Sequence, residues 1–352
     1  MKNCFENKNV LITGHTGFKG SWLASWLNLL GAKVSGISLE PSSFPSHYEL
    51  LSLRTKIESL ILDIRDYKVL SSNLKKIKPD YIFHLAAQPI VKYSYQNPLE
   101  TFNTNVMGTI NLLESLKSFK HECTVILITS DKCYENVEWI WGYKETDKLG
   151  GSDPYSASKA AAEISIKSYI DSFFPKDENI KISIGRAGNV IGGGDWSDSR
   201  IIPDAMKSWS NNKSLELKNP NSTRPWQHVL EPLSGYITLA QKLSQNKELH
   251  GEAFNFGPKS DQNFTVHKVI EEISKYWKGS EWSCNKNSKN KFHEAGLLKL
   301  NCDKAQHMLG WTSSLDFHET IKYTAEWYVS YYNNMNVTEV TEKQIYDYSK
   351  LI

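Results

Sequence analysis

The stretch NVLITGHTGFKG, residues 9–20, places a short apolar run directly before a glycine-rich turn. Gly14, Gly17 and Gly20 stand three residues apart, and the helical pattern SWLASWLNLLGA follows them. Glycines at such a turn let the backbone approach a pyrophosphate, and the start of the next helix offers free N–H groups. Three glycines alone could form an ordinary turn, but their place after a first strand predicts a phosphate-binding site.

Strand and helix patterns alternate beyond this turn. Short apolar runs rich in β-branched residues indicate strands, and longer segments with helical periodicity separate most of them. Such alternation predicts a parallel sheet covered by helices on both faces, a doubly wound α/β fold of the Rossmann type. The predicted strands cover residues 9–13, 33–39, 58–64, 80–86 and 124–130, and the predicted helices lie near 21–32, 66–78 and 98–118.

The second half of the chain differs in the length and composition of its predicted elements. A long helical pattern begins near Tyr155, and a strand pattern covers residues 181–192. Beyond Gly194 the elements become shorter and rich in Asn, Ser, Trp and Pro. We expect two lobes that form one compact unit with a cleft between them. Their predicted ranges are 1–187 for the Rossmann domain, with segments near 225–257 returning to it, and 188–352 for a mainly substrate-binding lobe.

The composition excludes several classes of protein. The chain has 352 residues, of which 40% are hydrophobic, and 41 basic residues nearly balance 39 acidic ones. A net charge of +2 predicts no surface for nucleic acid or an anionic membrane, and no apolar run has the length of a membrane span. The five cysteines are scattered without the spacing of metal ligands. We expect a cytoplasmic protein with free thiols, no structural metal and a small-molecule substrate.

Tyr155 and Lys159, in the stretch YSASK, lie four residues apart and therefore share one face of a helix. A phenol has an ordinary pKa of about 10 and is a poor base at neutral pH. A neighbouring ammonium and a cationic cofactor ring favour the phenolate. We therefore expect the pKa of Tyr155 to be lowered, so that it can accept a proton from a hydroxyl. Such pairs also occur by chance, but this pair stands in a chain that also has the glycine-rich turn. The two features together indicate a catalytic pair.

The stretch TSDKCY, residues 129–134, brings two opposite charges to the end of the buried strand pattern TVILITS. Ligands of a doubly wound sheet bind outside the carboxyl ends of its strands. Asp131 and Lys132 are therefore candidates for acid–base chemistry close to Tyr155. Without Tyr155 and Lys159, a surface turn would be the simpler interpretation.

These motifs resemble those of the extended short-chain dehydrogenase/reductases that act on nucleotide sugars. The glycine spacing matches the family pattern G-x-x-G-x-x-G, and TSDKCYENVEWIWGYKE with PYSASKAAAE is similar to the branch of CDP-glucose 4,6-dehydratases. The resemblance implies a Rossmann domain with a smaller carboxy-terminal lobe that binds a nucleotide sugar, NAD as cofactor, and a role in deoxysugar biosynthesis. Further similar stretches are HLAAQPIVKYSY, NTNVMGT, RAGNVIGGGDW, RPWQHVLEPLSGY, HEAGLLKLNCDKA and LGW.

The resemblance also implies a reaction and its catalytic residues. CDP-D-glucose would become CDP-4-keto-6-deoxy-D-glucose and water, with hydrogen transferred internally from sugar carbon 4 to carbon 6 through bound NAD. Tyr155, assisted by Lys159, would take the proton of the carbon 4 hydroxyl, which Ser130 would hydrogen-bond. Asp131 would protonate the departing hydroxyl of carbon 6, and Lys132 would remove the proton of carbon 5.

Lys132 raises a physical question at this point. The dTDP-glucose branch of the family has a glutamate at this place, whereas an amine has an ordinary pKa of about 10.4 and is protonated at neutral pH. Asp131 beside it favours the protonated form. Burial near Lys159 and a cationic cofactor ring opposes it. The sequence leaves the outcome open.

The family residues that hold the cofactor and the diphosphate transfer to this chain with one departure. An acid is expected two positions after a glycine at the end of the second strand, but Ser38 occupies that place and Glu40 is the nearest acid. Glu40, and the lack of arginine between Lys33 and Arg54, favour NAD over NADP. The implied cofactor residues are Gly14, Gly17, Phe18, Lys19, Gly20, Glu40, Asp63, Ile64, Leu85, Ala86 and Ala87, with Tyr155 and Lys159. The implied diphosphate ligands are Asn189, Arg200 and Arg224.

Several of these residues have a second interpretation. Asp63 could contact the adenine amino group or be a solvated acid at a strand end. An arginine implied in diphosphate binding could equally form a surface ion pair. Trp196 could line the cleft or lie in the core, Thr129 could replace Ser130, and Asn105 is expected to support the cofactor pocket rather than to react.

Three rival functions remain open on the sequence alone. The chain could be a 4,6-dehydratase for another nucleotide sugar, a 4-epimerase, or a catalytically idle NAD-sensing protein of the same fold. Asp131 and Lys132 argue against an epimerase, which needs no groups for water loss, and an intact Tyr155 argues against an idle protein. The expected partners are CDP-glucose or a related nucleotide sugar, and a second copy of the chain. The helices near 98–118 and 155–174 would pair in a homodimer or higher homo-oligomer.

Overall fold

A computed structural model describes residues 2–176, 179–217, 219–284 and 297–352. The strands are β1 (Asn9–Thr13), β2 (Lys33–Ser38), β3 (Glu58–Ile61), β4 (Tyr81–His84), β5 (Cys123–Ile128), β6 (Ile180–Ala187), β7 (Val190–Ile191), β8 (Leu215–Leu217), β9 (Thr223–Pro225), β10 (Gln227–His228), β11 (Ala253–Phe256), β12 (Asn263–Thr265) and β13 (Trp282–Cys284).

Helices separate most of the strands. They are α1 (Lys2–Phe5), α2 (Phe18–Leu29), α3 (His47–Leu50), α4 (Leu53–Lys56), α5 (Tyr67–Ile77), α6 (Val91–Gln96), α7 (Pro98–Phe102), α8 (Gly108–Leu116), α9 (Pro154–Phe173), α10 (Ile201–Ser210), α11 (Leu230–Gln245), α12 (Val266–Ser274), α13 (Asp303–Leu309), α14 (Phe317–Tyr332) and α15 (Val337–Ser349). A π-helical turn, Asn103–Met107, joins α7 to α8, and 3-10 turns cover Asp131–Cys133 and Lys247–Leu249.

Seven strands form one sheet in the order β11-β6-β5-β4-β1-β2-β3, and every pair in it is parallel. The chain first builds β1 to β3 on one side and then crosses to β4 on the other side of β1. The strand order therefore reverses between β1 and β4, and such a switch point opens a crevice at the carboxyl edge. The predicted doubly wound Rossmann fold is confirmed.

The two faces of the sheet are covered by different helices. Successive residues of a strand point to opposite faces, so Leu11 and Val125 join a core cluster with α5, α8 and α9, whereas Ile12 and Ile126 join a second cluster with α2 and α11. The second cluster continues into the carboxy-terminal helices α14 and α15. Within the described residues, no helix is long and apolar enough to cross a membrane. All five cysteines are free thiols.

The structure shortens or divides several predicted elements. The predicted strand at 58–64 ends at Ile61, the one at 80–86 ends at His84, and the run at 181–192 divides into β6 and β7. The residues at the end of each pattern lie in a loop after the strand. The segment 253–256 joins the sheet as β11, while the division of the chain into two lobes stays a prediction. In the motif HEAGLLKLNCDKA, residues 293–296 lie outside the described residues.

Trp196 belongs to the core. Its side chain is 2% exposed and packs edge-on against the rings of Trp327, Tyr328 and Tyr331 in α14. Gly193 is required beside it, since a Cβ there would come within 1.9 Å of the Trp327 ring. Helix α14 therefore packs on the segment after β7 and holds it against α2. Trp22 of α2 donates a hydrogen bond to the Gly193 carbonyl at 2.9 Å.

Two glycines of the glycine-rich turn allow a matched test of how tightly its backbone packs. A Cβ on Gly20 would lie 2.0 Å from the Gly14 carbonyl oxygen, whereas one on Gly17 would lie 3.4 Å from it. Gly17 also has an ordinary φ of −76°. We expect Gly20→Ala to lower the free energy of unfolding by about 3 kcal/mol and Gly17→Ala to change it by less than about 1 kcal/mol. Urea unfolding measures both, and equal stabilities would contradict this packing of the turn.

Candidate active site

The glycine-rich turn forms a cradle at the switch point of the sheet. Gly14 has a φ of +80°, and a Cβ there would lie 2.8 Å from the amide nitrogen of Ala86, just after β4. Gly17 is the N-cap of α2 and caps it with no side chain, so N–H groups of the first turn remain for an anion. Leu85–Ala87 and Phe18 border the same space at the strand and helix ends. The cradle fits the pyrophosphate of a dinucleotide.

The two acids predicted to contact the cofactor are both paired with arginines. Glu40 is exposed and accepts a hydrogen bond from Arg54 of α4 at 2.8 Å, while Ser38 is buried and bonded to Thr16 at 2.8 Å. Asp63 accepts two hydrogen bonds from the Arg65 guanidinium through Oδ2, at 2.9 and 2.7 Å. Burial would raise the pKa of Asp63, but these bonds outweigh it and lower the pKa. Sequence reasoning missed both arginine partners.

A buried amide connects the cofactor side of the crevice to α9. Asn105, in the π-helical turn, accepts a hydrogen bond from the backbone N–H of Gln88 at 2.8 Å and donates one to Ser158 at 2.8 Å. Ile64 is buried against Gly108, where a Cβ would come within 2.4 Å of its Cδ1. Asn105 therefore links the loop after β4 to α9, and its support of the cofactor pocket stays a prediction.

Tyr155 and Lys159 lie on the buried face of α9. Burial lowers the pKa of Lys159 to about 8, and Cys133 and Glu163 raise it in part. Burial raises the pKa of Tyr155 to about 12, and a hydrogen bond with Ser130 opposes this rise. The expected lowering of the Tyr155 pKa is not what the groups of the protein produce, because the burial of a phenolate outweighs its polar neighbours.

Asp131 is a buried acid at the tip of β5. It is 4% exposed, so the interpretation of this segment as a surface turn is wrong. Burial raises the pKa of the carboxyl, while Lys132, Ser130 and Lys19 oppose the rise. The Ser130 hydroxyl donates to Asp131 Oδ1 at 2.9 Å, and the Lys132 backbone N–H donates to Ser130 Oγ at 3.2 Å. A carboxyl that holds its proton more tightly than usual can act as a general acid.

The charge of Lys19, in the glycine-rich turn, acts on this acid. Burial lowers the pKa of its amine to about 8; Arg200 and Lys159 act in the same direction and Asp131 in the opposite one. Its charge therefore lies in the field of Asp131 and Arg200 as well as at the start of α2. The sequence placed Lys19 with the cofactor alone, and the structure brings it to the acid as well.

The three residues predicted to hold the diphosphate lie in three different segments of the chain. Arg200 forms an ion pair with Asp195 at 2.8 Å, which raises its pKa, and its charge also acts on Tyr155. Arg224, in β9, is nearly buried and donates to the Thr223 carbonyl at 2.7 Å. Asn189 is half-buried next to Gly188, where a Cβ would come within 3.0 Å of Asp131 Oδ2. The turn between β6 and β7 therefore lies against the acid.

A buried ion pair lies directly beneath these groups. Arg186 of β6 donates to Glu163 of α9, with Nε 2.8 Å from Oε1, and both side chains are at most 4% exposed. Thr129 donates to the same Glu163 Oε1 at 2.5 Å. Arg186 Nη1 also donates to the Tyr134 hydroxyl at 2.7 Å and to the Glu145 carbonyl at 3.1 Å. The Thr129 hydroxyl is therefore engaged by the ion pair, whereas the Ser130 hydroxyl bonds Asp131 and Tyr155.

Sequence reasoning missed this ion pair. The available signal was Glu163 itself, which lies one helical turn after Lys159 on the same face of α9. An acid on a buried face needs a partner, because an unpaired charge in the interior is costly. Within the described residues, no group of three His, Cys, Asp or Glu side chains is arranged to hold a metal ion.

Three comparisons place this arrangement among known proteins. A family model described as GDP-mannose 4,6 dehydratase matches residues 11–324. The chain is 44% identical over 351 residues to a CDP-glucose 4,6-dehydratase of Salmonella typhimurium, covering 99% of this chain and 98% of that protein. These matches extend over almost the whole chain, including every strand of the sheet.

Two solved structures show how widely the fold is shared. A dTDP-glucose 4,6-dehydratase of Bacillus anthracis in complex with NAD superposes with a TM-score of 0.75 at 20% identity, over 94% of this chain and 99% of that one. A UDP-glucose 4-epimerase of Stenotrophomonas maltophila with bound NAD gives a TM-score of 0.79 at 19% identity, over 93% and 100%. The fold is therefore common to dehydratases and epimerases, and the site residues must distinguish them.

The buried ion pair generates a stability prediction. Glu163→Gln leaves the Arg186 charge buried without its counter-charge, so we expect the free energy of unfolding to fall by about 3–5 kcal/mol. Replacement of both partners, Glu163→Leu with Arg186→Met, should recover most of this loss. Urea unfolding is the measurement, and Asp347→Asn, which breaks the exposed pair with Lys343 at 2.9 Å, is the control expected to cost under about 1 kcal/mol. A loss in Glu163→Gln no larger than in the control would contradict the account.

Proposed function

The chain belongs to the GDP-mannose 4,6-dehydratase family, and we propose that it is the enzyme that converts CDP-D-glucose to CDP-4-keto-6-deoxy-D-glucose and water. The observation that carries this proposal is the buried Asp131 carboxyl beside Tyr155, since an epimerase needs no acid to expel a hydroxyl. The CDP-glucose 4,6-dehydratase of Salmonella typhimurium, at 44% identity, supports CDP as the nucleotide. The reaction is that of a carbon–oxygen lyase.

NAD is the cofactor, and the residues of the crevice fit it. The Gly14–Gly20 turn and the first turn of α2 would hold its pyrophosphate, and Leu85–Ala87 would border it at the end of β4. When bound, NAD supplies the chemistry of taking hydrogen from carbon 4 as hydride and returning it to carbon 6. Glu40 and Asp63 remain proposed contacts of its ribose and adenine, each held in place by an arginine.

Tyr155 is proposed to start the reaction by accepting the proton of the carbon 4 hydroxyl. Its own surroundings raise its pKa to about 12, so a positive charge must be close when it acts as a base. Lys159, one helical turn further along α9, is the group that supplies this charge. Ser130, which hydrogen-bonds Tyr155, would hold the same hydroxyl in place.

Asp131 and Lys132 are proposed to perform the water loss. Asp131 would protonate the hydroxyl of carbon 6, because burial favours its protonated form before the carbon–oxygen bond breaks. Lys132 would take the proton of carbon 5, which the ketone on carbon 4 has made acidic. Arg200, Arg224 and Asn189 would hold the diphosphate of the nucleotide sugar through charge and hydrogen bonds.

Location and assembly complete the proposal. All five cysteines are free thiols, which fits a reducing, cytoplasmic compartment. Large apolar side chains are exposed on α7, the π-helical turn and α9, including Leu99 at 86% and Ile164 at 60% exposure. Phe102 and Met107 extend this surface. An apolar surface of this kind on adjacent helices fits the pairing of two copies of the chain.

The substrate is tested by incubating the purified protein with CDP-glucose, dTDP-glucose, UDP-glucose or GDP-mannose. We expect the alkali-induced absorbance of a 4-keto-6-deoxy sugar with CDP-glucose, and turnover without added NAD would show that the cofactor copurifies. No such product from CDP-glucose would overturn the proposal.

Lys132→Met should lower kcat by about 10²–10⁴-fold while oxidation of carbon 4 continues. Lys148→Met, which removes an exposed amine paired with Glu135, is the matched control and should leave kcat unchanged.

The dimer is tested with a charge on the exposed apolar surface. Ile164→Glu should convert the protein from a dimer to a monomer, because a carboxylate cannot be buried between two apolar faces without a partner. Light scattering after size-exclusion chromatography gives the molar mass. Met335→Glu, at a residue 58% exposed between α14 and α15, should leave the mass unchanged. A wild-type monomer, or a dimer that survives Ile164→Glu, would contradict this interface.

A further inference from the structure

Tyr236 is a buried tyrosine whose hydroxyl has no partner. It lies in α11, is 0% exposed, and its hydroxyl makes no hydrogen bond to any residue that the structure describes. A buried hydroxyl without a partner costs about 1–3 kcal/mol relative to a paired one. Phenylalanine would fill the same space without this cost, so the hydroxyl calls for a functional explanation.

Other buried tyrosines of the protein show the contrast. Tyr348 donates to Glu231 at 2.8 Å, Tyr134 donates to Asn255 at 2.7 Å, and Tyr328 donates to the Asp195 carbonyl. Each of these hydroxyls ties two distant parts of the chain together. Tyr236 makes no such connection among the described residues, so its hydroxyl has no evident structural task.

The Tyr236 ring packs against the sheet at the carboxyl-terminal end of β5. The ring lies on Gly185 of β6, where a Cβ would come within 3.0 Å of ring atom Cε1. Gly185 pairs with Ile128, the last residue of β5, and its carbonyl accepts the Thr129 N–H at 3.0 Å. Tyr236 therefore lies beneath the strand ends from which Ser130 and Asp131 emerge, on the face of the sheet opposite α9.

The electrostatic surroundings of Tyr236 agree with this placement. Burial raises the pKa of the phenol first, and the charges of Asp131 and Tyr155 raise it further. The hydroxyl is therefore within electrostatic reach of the acid and the base of the proposed reaction, and it keeps its proton. The Tyr236 hydroxyl bonds neither Asp131 nor Tyr155 directly. A bound water can connect two buried polar groups that do not bond each other.

We propose that Tyr236 is a positioning residue that holds the Asp131 carboxyl through one buried water. Asp131 gives its proton to the oxygen on carbon 6, the carbon–oxygen bond breaks, and a carboxylate and a water molecule result. The Tyr236 hydroxyl donates to the bridging water, which donates to this new carboxylate, and no proton leaves the phenol. The interaction is stronger in the state that follows proton donation, so it favours water loss and not the first oxidation. The inference rests on the proposed function.

Tyr236→Phe tests the proposal in the full-length enzyme, because the ring and its packing are retained. We expect kcat for CDP-glucose to fall about tenfold, the value of one hydrogen bond, with KM within about twofold of wild type. Oxidation of carbon 4 should keep its rate, so the reduced nicotinamide seen by absorbance during turnover should rise. In the Asp131→Asn background, Tyr236→Phe should have no further effect on water loss, since its action passes through Asp131.

The control is Tyr348→Phe, which removes a buried hydroxyl paired with Glu231, a residue outside the proposed site. It should lower the unfolding temperature and leave kcat and the level of reduced cofactor unchanged. Wild-type kcat in Tyr236→Phe, or an equal slowing of oxidation and water loss, would overturn the role of Tyr236. An additional loss in the Asp131→Asn background would do the same. A wild-type enzyme that makes no product from CDP-glucose would instead refute the proposed function.

Discussion

The buried ion pair between Arg186 and Glu163 is the constraint on which the site depends. It joins β6 to α9, and through Thr129 and Tyr134 it also fixes both ends of the segment that carries Ser130, Asp131 and Lys132. Two charges removed from water are stable only when their hydrogen bonds are satisfied. Here Thr129 and Tyr134 supply hydrogen bonds to Glu163 and Arg186. β5, which leads to Asp131, and α9, which carries Tyr155, are therefore held in one arrangement. Burial lowers the pKa of Lys159, and Glu163, one helical turn away, opposes this lowering in part.

Burial then decides what each group can do. It raises the pKa of Asp131, which suits a proton donor, and it lowers the pKa of Lys159 and Lys19 to about 8. It also raises the pKa of Tyr155, so the phenol needs a cation close by before it can act as a base. Burial therefore favours the protonated, proton-donating form of Asp131, a group that water loss requires and a 4-epimerisation does not. The proposed difference between the two classes lies in Asp131, directly after β5, while the fold is common to both classes.

Much of this arrangement was predictable from local pattern. The glycine spacing, the order of strands and helices over the amino-terminal half, and the placement of Tyr155 and Lys159 on one helical face all follow from periodicity and backbone geometry. What the sequence missed or left open depended on partners elsewhere in the chain. Arg54, in a short helix that was not predicted, pairs with Glu40, and the burial of Trp196 requires α14 from the end of the chain.

The sign of the Tyr155 pKa shift could not be read from sequence either, because burial and hydrogen bonding oppose each other and only the structure weighs them. The orphaned hydroxyl of Tyr236 gave no sequence signal at all, since an apolar helical face accommodates tyrosine and phenylalanine alike. The central claim, that water loss is coupled to an internal transfer of hydrogen, is tested most directly with CDP-glucose deuterated at carbon 4. The account predicts a 4-keto-6-deoxy product that carries the deuterium on carbon 6. Deuterium that stays on carbon 4, as in a 4-epimerisation, or that is lost to solvent would contradict it.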